Sequence, residues 1–209
     1  MQLYIDLVRT VPDQNLFETF FLQATDVRRQ KVLKLRQEQG KYASLGVEIM
    51  LRCGMKRAGI PFGAYSYGED GKPYFADNRA CFSLSHSEEY ACAAVWDKPV
   101  GIDIECRKDL TSGLIQRIAG ENEWKEHSPI AIWCAKESYL KLTGEGLRKD
   151  MRKIVFRGDA MLDAADGNRL CGLYSAGLKE LECWVSFFEE SIQVNFCQWD
   201  VKALRDFLC

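Results

Sequence analysis

The stretch Val100-Gly101-Ile102-Asp103-Ile104-Glu105 alternates apolar side chains with a glycine and two acids. Because side chains alternate across a β-strand, this pattern predicts a strand whose apolar residues face the core. Gly101, Asp103 and Glu105 then share the opposite face, where the two carboxylates lie about 7 Å apart along the strand. Neighbouring carboxylates repel unless a cation or basic group lies between them, so this face is either a solvated surface or part of a Mg²⁺ site.

The segments on either side of this strand predict an α+β fold. Gly59 followed by Pro61 is typical of the end of a helix. Helical and hairpin-like segments are grouped rather than alternating one by one, which favours α+β over a parallel α/β fold. The predicted strands cover residues 3–8, 90–96, 100–105, 153–156, 183–188 and 191–199, and the predicted helical segments cover 13–59 and 111–143.

The composition is that of a folded protein without a strong net charge. The chain has 209 residues, of which 47% are hydrophobic and 28% charged, and its formal net charge is −2. These values exclude a disordered or fibrous chain, and we expect neither nucleic acid nor a membrane as a partner. Asp6 interrupts the N-terminal segment too early for a signal peptide, so we expect a cytoplasmic protein. The nine cysteines include no Cys-x-x-Cys pair, which argues against a zinc ribbon and favours free thiols in the core.

A second segment with unusual chemistry lies on the predicted helix that ends near residue 143. Ser128 is a suitable N-cap and Gly144 a suitable C-cap for one helix. Trp133, Glu137 and Lys141 are four residues apart in turn and therefore line one face of it. The stripe is either an ordinary surface Glu–Lys pair, worth about 0.3–0.5 kcal/mol, or the third carboxylate and the lysine of a phosphate and metal site.

A third segment, Phe82-Ser83-Leu84-Ser85-His86-Ser87, comes ahead of the acidic strand. It offers three hydroxyls and one of only two histidines in the chain. These groups are suited to hydrogen-bonding phosphate oxygens, but they also suit a polar turn. The residues alone leave both interpretations open.

Four motifs follow one another along the chain. They are Gly71-Lys72-Pro73-Tyr74, the Ser-His segment at 82–87, Gly101-Ile102-Asp103-Ile104-Glu105, and Trp133-Cys134-Ala135-Lys136-Glu137-Ser138-Tyr139-Leu140-Lys141. Together they resemble the 4′-phosphopantetheinyl transferases of the longer type, which activates nonribosomal peptide synthetases such as the surfactin system. The resemblance implies a pseudo-dimer of two similar α+β subdomains in one chain, with the active site in the cleft between them. Residues 1–100 would contact the phosphates and adenine of coenzyme A, and residues 101–209 would carry the metal carboxylates and the Lys-Glu helix.

The resemblance also implies roles for individual residues. The metal carboxylates would be Asp103, Glu105 and Glu137. The catalytic groups would be Glu137, Lys141 and, as a further candidate for the general base, Glu123. The residues that bind coenzyme A would be Arg28, Lys31, Lys72, Pro73, Ser85, His86 and Lys141.

The implied reaction moves the 4′-phosphopantetheine arm from coenzyme A to a serine of an apo acyl or peptidyl carrier protein. It would require Mg²⁺ and release adenosine 3′,5′-bisphosphate. Because a pseudo-dimer supplies both sides of the cleft, we expect a monomer. Two alternatives are a non-catalytic relative that only binds carrier proteins and a Mg²⁺-dependent phosphohydrolase.

Overall fold

The computed structural model describes residues 1–146 and 149–208, which form helices packed on two main β-sheets. The strands are β1 (Leu3–Arg9), β2 (Ser66–Tyr67), β3 (Pro73–Tyr74), β4 (Cys81–Ser87), β5 (Tyr90–Trp96), β6 (Val100–Cys106), β7 (Ile154–Arg157), β8 (Ala160–Asp163), β9 (Arg169–Ser175), β10 (Leu181–Phe187) and β11 (Val194–Trp199). The α-helices are α1 (Gln14–Gln23), α2 (Asp26–Leu33), α3 (Glu38–Arg57), α4 (Ser112–Ile118), α5 (Glu121–Glu126), α6 (Pro129–Thr143) and α7 (Val201–Leu208). This content confirms the predicted α+β class.

The two long segments predicted as helical are each divided into three helices. Residues 13–59 form α1, α2 and α3, and residues 111–143 form α4, α5 and α6. Local capping explains one division, since the Ser128 side chain accepts the backbone N–H of Ala131 at the start of α6. Asp13 and Thr111 cap the first helix of each segment in the same way. Gly144 ends α6 in the left-handed conformation with φ of 79°, as its sequence position predicted.

The two sheets pack face to face around a shared core. The first sheet has the strand order β11-β1-β5-β4 and the second β6-β10-β9-β8-β7. The apolar face of β6, formed by Val100, Ile102 and Ile104, is fully buried against β1, β5 and β10, as the alternation predicted. Helix α3 packs on the outer side of the first sheet and α6 on the outer side of the second.

Serine side chains join the two sheets where the edge strands β4 and β6 meet. Alternate hydroxyls of β4 accept the backbone N–H groups of β6, so side chains take the place of a backbone ladder at this edge. This contact between β4 and β6, called the serine junction below, brings the polar groups of both strands together. The three contacts run from Ile102 N to Ser83 Oγ (3.1 Å), from Ile104 N to Ser85 Oγ (3.4 Å) and from Cys106 N to Ser87 Oγ (3.1 Å).

The C-terminal end of the chain returns to the first sheet. Strand β11 pairs in parallel with β1, from Leu3 opposite Val194 to Val8 opposite Trp199. Helix α7 then packs Leu204 into the core beneath α3. Residues 194–208 therefore pack with the first sheet, whose other strands come from residues 3–96. Parallel pairing between strands this far apart in the chain leaves no local sequence signal.

Two further expectations concern the surface and the thiols. Among residues 1–146 and 149–208, no helix is long and apolar enough to cross a membrane. The eight described cysteines are all free, and five of them are buried, which agrees with their prediction as core residues. Cys209 lies outside the described residues.

Candidate active site

A pocket of about 270 Å³ lies beside the serine junction, with β4 of the first sheet on one side and α6 on another. Its walls come from α2, from the β2–β3 hairpin, from β4 and from the C-terminal half of α6. Every residue predicted to bind coenzyme A lines this pocket, and so does one of the predicted metal carboxylates. These residues are Arg28, Lys31, Lys72, Pro73, Ser85, His86, Glu137 and Lys141.

Helix α6 lies unusually close to β6, and Gly101 makes this possible. A Cβ atom at Gly101 would overlap the backbone of Ser138 and Leu142, so only glycine permits the observed packing. Ser138 and Leu142 directly follow Glu137 and Lys141 in the helix. The close approach therefore brings the polar stripe of α6 against the polar face of β6.

Asp103 is the centre of the hydrogen-bond network at this contact. Its side chain is buried, and its Oδ1 atom accepts bonds from Ser85 Oγ at 2.7 Å and from Lys141 Nζ at 2.7 Å. Lys141 also donates to Ser85 Oγ at 2.8 Å. Burial by itself lowers the pKa of Lys141, but the charge of Asp103 and its hydrogen bond outweigh that effect and raise the pKa, so the ammonium stays charged.

Glu105 is held by donors on both of its carboxylate oxygens. Trp133 Nε1 donates to Oε1 at 3.0 Å, and Ser87 Oγ donates to Oε2 at 2.8 Å. Lys108 Nζ lies 3.5 Å from Oε2 at the exposed end of the strand. The predicted stripe of Trp133, Glu137 and Lys141 therefore does face the acidic strand, but Trp133 reaches Glu105 whereas Lys141 reaches Asp103.

Glu137 lies in the pocket wall in an unfavourable environment for a carboxylate. Burial is the largest cause, and the negative charge of Asp103 adds to it, so the pKa of Glu137 is raised to about 7 although Lys141 opposes the shift. One oxygen of each acid, Glu137 Oε1 and Asp103 Oδ2, is buried without a hydrogen-bond partner among the described residues. Unpartnered carboxylate oxygens that repel each other are a suitable donor set for a hard divalent cation.

Two of the three predicted carboxylates, Asp103 and Glu137, therefore have an oxygen suited to bind Mg²⁺. In the described part of the chain, no three His, Cys, Asp or Glu side chains lie close enough to form a ready metal cluster. Glu105 is engaged with Ser87 and Trp133 instead. Mg²⁺ is commonly bound through one or two protein carboxylates with substrate phosphates and water, so Asp103 and Glu137 satisfy the requirement.

The basic and imidazole groups of the pocket differ in their surroundings. Lys72 Nζ donates to the carbonyl of Leu142 at 2.7 Å, near the C-terminal end of α6, where a cation is stabilised by the helix dipole. Desolvation lowers the pKa of Lys72. Desolvation also lowers the pKa of His86, and the positive charges of Lys141 and Arg28 lower it further, so the imidazole is neutral at neutral pH.

Glu123 does not line the pocket. It is buried, and its carboxylate bonds Lys136 Nζ at 2.8 Å as well as the backbone N–H groups of Gly120 and Phe156. Lys136 is fully buried and donates in addition to the carbonyls of Ile118 and Met151. With every oxygen of Glu123 occupied by these structural contacts, the pair holds α5, α6 and β7 together, which argues against Glu123 as the general base.

Tyr67 lines the pocket and was not singled out from the sequence. It lies on β2, a strand of two residues. The sequence there indicates only a turn between Tyr67 and Pro73. Nothing in the spacing of residues indicates that this ring would meet α2, since the contact spans more than thirty positions of the chain.

Comparison with known proteins agrees with this geometry. The family model described as "4′-phosphopantetheinyl transferase superfamily" matches residues 99–171, which include β6, α6 and the carboxylates of the site. Over this segment the chain is similar to that superfamily.

Curated relatives extend the similarity beyond the matched segment. A 4′-phosphopantetheinyl transferase of Bacillus subtilis is 27% identical over 164 residues, which cover 69% of this chain and 72% of that protein. The transferase Sfp of Bacillus subtilis strain 168 is 22% identical over 189 residues, covering 81% and 82%. The transferase gsp of Aneurinibacillus migulanus is 27% identical over 151 residues, covering 65% of this chain and 62% of its own length. These matches confirm the resemblance to the longer, surfactin-activating type.

Proposed function

We propose that this protein transfers the 4′-phosphopantetheine arm of coenzyme A to a serine of an apo carrier protein, acyl or peptidyl, and releases adenosine 3′,5′-bisphosphate. The observation that carries the proposal is the pocket itself, where Arg28 and Lys31 of α2 line the same cavity as Glu137 and Lys141 of α6. Lys141 in turn bonds Asp103 of β6. Similarity to the transferase superfamily indicates which reaction this pocket would support. Cations bind the negative oxygens of a pyrophosphate, and positioned charges stabilise the transition state of phosphoryl transfer.

Coenzyme A would bind along the wall formed by α2, the β2–β3 hairpin and β4. Arg28 and Lys31 supply positive charge for phosphate oxygens, and His86 and Ser85 supply hydrogen bonds from neutral groups. Lys72 and Pro73 shape the hairpin wall. Because Lys72 Nζ is already bonded to the end of α6, we propose that it mainly fixes the hairpin against that helix.

A divalent cation, Mg²⁺, would be held by Asp103 and Glu137, while Glu105, the third acid predicted for the site, keeps its bonds to Ser87 and Trp133. When bound, it would neutralise the pyrophosphate and polarise the phosphorus under attack. The buried, unpartnered oxygens of Asp103 and Glu137 support this proposal. Ser85 and Lys141 orient Asp103 through its other oxygen.

The protein's own residues would manage the proton and the charge of the transfer. The carrier serine forms a new O–P bond, the P–O bond to the adenosine bisphosphate breaks, and the serine hydroxyl loses its proton. Glu137, a carboxylate of the pocket wall, is proposed to accept that proton. Lys141 remains charged and would stabilise the negative charge that develops on the leaving phosphate.

The architecture supports a monomeric enzyme. Each sheet carries a long helix on its outer side, α3 or α6, and the pocket draws residues from both halves, as a pseudo-dimer requires. We therefore propose a cytoplasmic monomer that meets its carrier protein at one cleft. Light scattering is expected to give a mass near 23.9 kDa, and a mass of twice that value would contradict the proposal.

Intact-protein mass spectrometry tests the reaction directly. An apo peptidyl carrier and an apo fatty-acid carrier are each incubated with the protein, coenzyme A and Mg²⁺, with and without EDTA. We expect a gain equal to the phosphopantetheine arm that EDTA abolishes. The same gain with the carrier serine replaced by alanine would contradict the proposed acceptor.

The same experiment separates the alternatives. A non-catalytic relative would bind the carrier and leave its mass unchanged, and a phosphohydrolase would release phosphate in the absence of any carrier. Either result would contradict the proposed transfer.

A further inference from the structure

Arg28 is a buried cation whose direct partners are all neutral. Only 4% of the residue is exposed, and the guanidinium donates to three hydroxyls: Tyr65 at 3.1 Å, Ser44 at 3.3 Å and Tyr67 at 3.1 Å. In the part of the chain that the structure describes, no carboxylate forms an ion pair with Arg28. Burial of a charge is costly without an opposite charge, so the arrangement suits an anionic ligand in the adjoining pocket.

A buried carboxylate lies behind this cluster, one hydroxyl away from Arg28. Glu48 accepts bonds from Tyr65 OH at 3.1 Å, from Thr25 N at 2.9 Å and from Arg52 at 3.1 Å. Because Tyr65 accepts a bond from Arg28, its own proton is free to be donated to Glu48. The Glu48 carboxylate is thus bonded to donors other than Arg28. The guanidinium of Arg28 therefore still presents its positive charge to the pocket.

Lys31 reaches the same tyrosine from the next turn of α2. Its Nζ atom lies 3.5 Å from the centre of the Tyr67 ring, which is a close cation–π contact. Arg28 and Lys31 are three residues apart in one helix and therefore lie on the same face. Tyr67 touches both cations, through its hydroxyl and through its ring face.

We propose that Tyr67 is a positioning residue that holds Arg28 and Lys31 together for one phosphate group of coenzyme A. The hydroxyl fixes the guanidinium, and the ring holds the otherwise mobile ammonium of an exposed lysine at the pocket wall. Fixing both cations before binding reduces the entropy lost when the phosphate arrives. This inference rests on the proposed function, because it takes coenzyme A as the ligand.

Two substitutions separate the two contacts of Tyr67. Tyr67→Phe removes the hydroxyl bond to Arg28 and keeps the ring beneath Lys31, whereas Tyr67→Leu removes both. Isothermal titration calorimetry with coenzyme A is expected to give a Kd raised about threefold to tenfold for Tyr67→Phe, and about tenfold further for Tyr67→Leu. In the transfer assay KM for coenzyme A should rise while kcat changes by less than about twofold, because the chemical groups are untouched.

Tyr74 provides the matched control. It lies opposite Ser66 on the neighbouring strand β3 and is 46% exposed, outside the pocket that Tyr67 lines. Tyr74→Phe and Tyr74→Leu should leave the Kd unchanged. Melting temperatures of all four variants establish that each is folded, and Tyr67→Phe alone carries the test if Tyr67→Leu is not.

A double-mutant cycle tests whether the ring acts through Lys31. In the Lys31→Ala background, Tyr67→Leu and Tyr67→Phe should have the same Kd, because the ring has no ammonium left to hold. Additive effects, or a Tyr67→Phe variant that binds like the wild type, would overturn the proposal. A wild-type protein that binds coenzyme A but modifies no carrier would overturn the proposed transfer while leaving this binding test valid.

Discussion

Lys141 connects the helix of the site, α6, to the strands β4 and β6. Its ammonium bonds Ser85 of β4 and Asp103 of β6 from a position on α6, so three elements meet at one atom. The raised pKa of Lys141 makes it a permanent cation near neutral pH. Electrostatic stabilisation of the leaving phosphate therefore suits this lysine better than proton donation.

We predict that Lys141→Ala lowers kcat for carrier modification by about 10²- to 10³-fold, because a preorganised charge is lost. Lys141→Arg should retain more activity than the alanine variant, since it keeps the charge but changes its shape. Steady-state transfer rates with saturating coenzyme A measure both variants. A wild-type rate in Lys141→Ala would reduce the residue to a structural ion pair.

Asp103→Asn is the sharper test of the metal proposal, because the amide keeps the shape of the side chain in a buried position. We expect transfer to fall by at least about 10²-fold and the Mg²⁺ concentration for half-maximal activity to rise. Asp109→Asn, at an exposed site shortly after β6, is the control. An unchanged Mg²⁺ requirement in Asp103→Asn would contradict the assignment.

At the scale of elements, the contact between α6 and β6 sets the geometry of the site. Glycine at position 101 lets the helix backbone rest on the strand, and this brings Glu137 and Lys141 to the level of Asp103. Of the two interpretations of this strand face, a solvated surface is excluded at Gly101 and Asp103, because Gly101 packs against α6 and Asp103 is buried.

Gly101→Ala is expected to lower the free energy of unfolding by about 3 kcal/mol, because the new methyl meets backbone atoms that cannot rotate away. Activity should fall as α6 moves from the strand. Urea denaturation measures the stability of the folded variant. Gly113→Ala, where an added Cβ meets nothing within 4 Å, should be neutral or slightly stabilising, and equal effects of the two changes would contradict this account.

The buried pair Glu123–Lys136 joins three elements without touching the pocket. Glu123→Gln leaves the charge of Lys136 unpaired and should lower the free energy of unfolding by about 3 kcal/mol. We expect kcat of the folded variant to stay near that of the wild type, and Glu126→Gln at an exposed site of α5 serves as the control. A loss of kcat without a loss of stability would restore Glu123 as the general base.

At the scale of the whole molecule, the C-terminal strand closes the first sheet. Strand β11 covers the edge of β1, and Trp199 Nε1 donates to the buried carboxylate of Asp6 at 2.6 Å. Arg57 of α3 bonds Asp6 as well, at 2.7 Å. The N-terminal half is therefore completed by residues that come last in the chain.

A chain ending at residue 190 should lose cooperative unfolding, because it exposes the edge of β1 and part of the shared core. A chain ending at residue 200 keeps β11 and lacks only α7, so it should remain folded with a lower melting temperature. Thermal unfolding followed by circular dichroism measures both. Cooperative unfolding of the shorter chain would show that residues 1–100 need no C-terminal strand.

Local patterns were sufficient for much of the fold. The alternation at 100–105 predicted β6 and its buried face, and the capping residues Ser128 and Gly144 predicted the ends of α6. The predicted elements did not include strands β2, β3, β4, β8 and β9 or helix α7. Strand β8 has only four residues, and Gly172 interrupts β9 where it packs beneath Phe187, so neither gives a clear alternating pattern.

The sequence by itself determined the residue types of the site, their order, and which of them share a face. One helical stripe and one strand face follow from the periods of 3.6 and 2, which are local properties of the backbone. The tertiary structure alone decided the partners: Lys141 on Asp103, Trp133 on Glu105, Glu123 in a separate buried pair, and Tyr67 between two cations. These contacts join positions far apart in the chain, and packing of the two sheets and their helices, rather than any local period, brings them together.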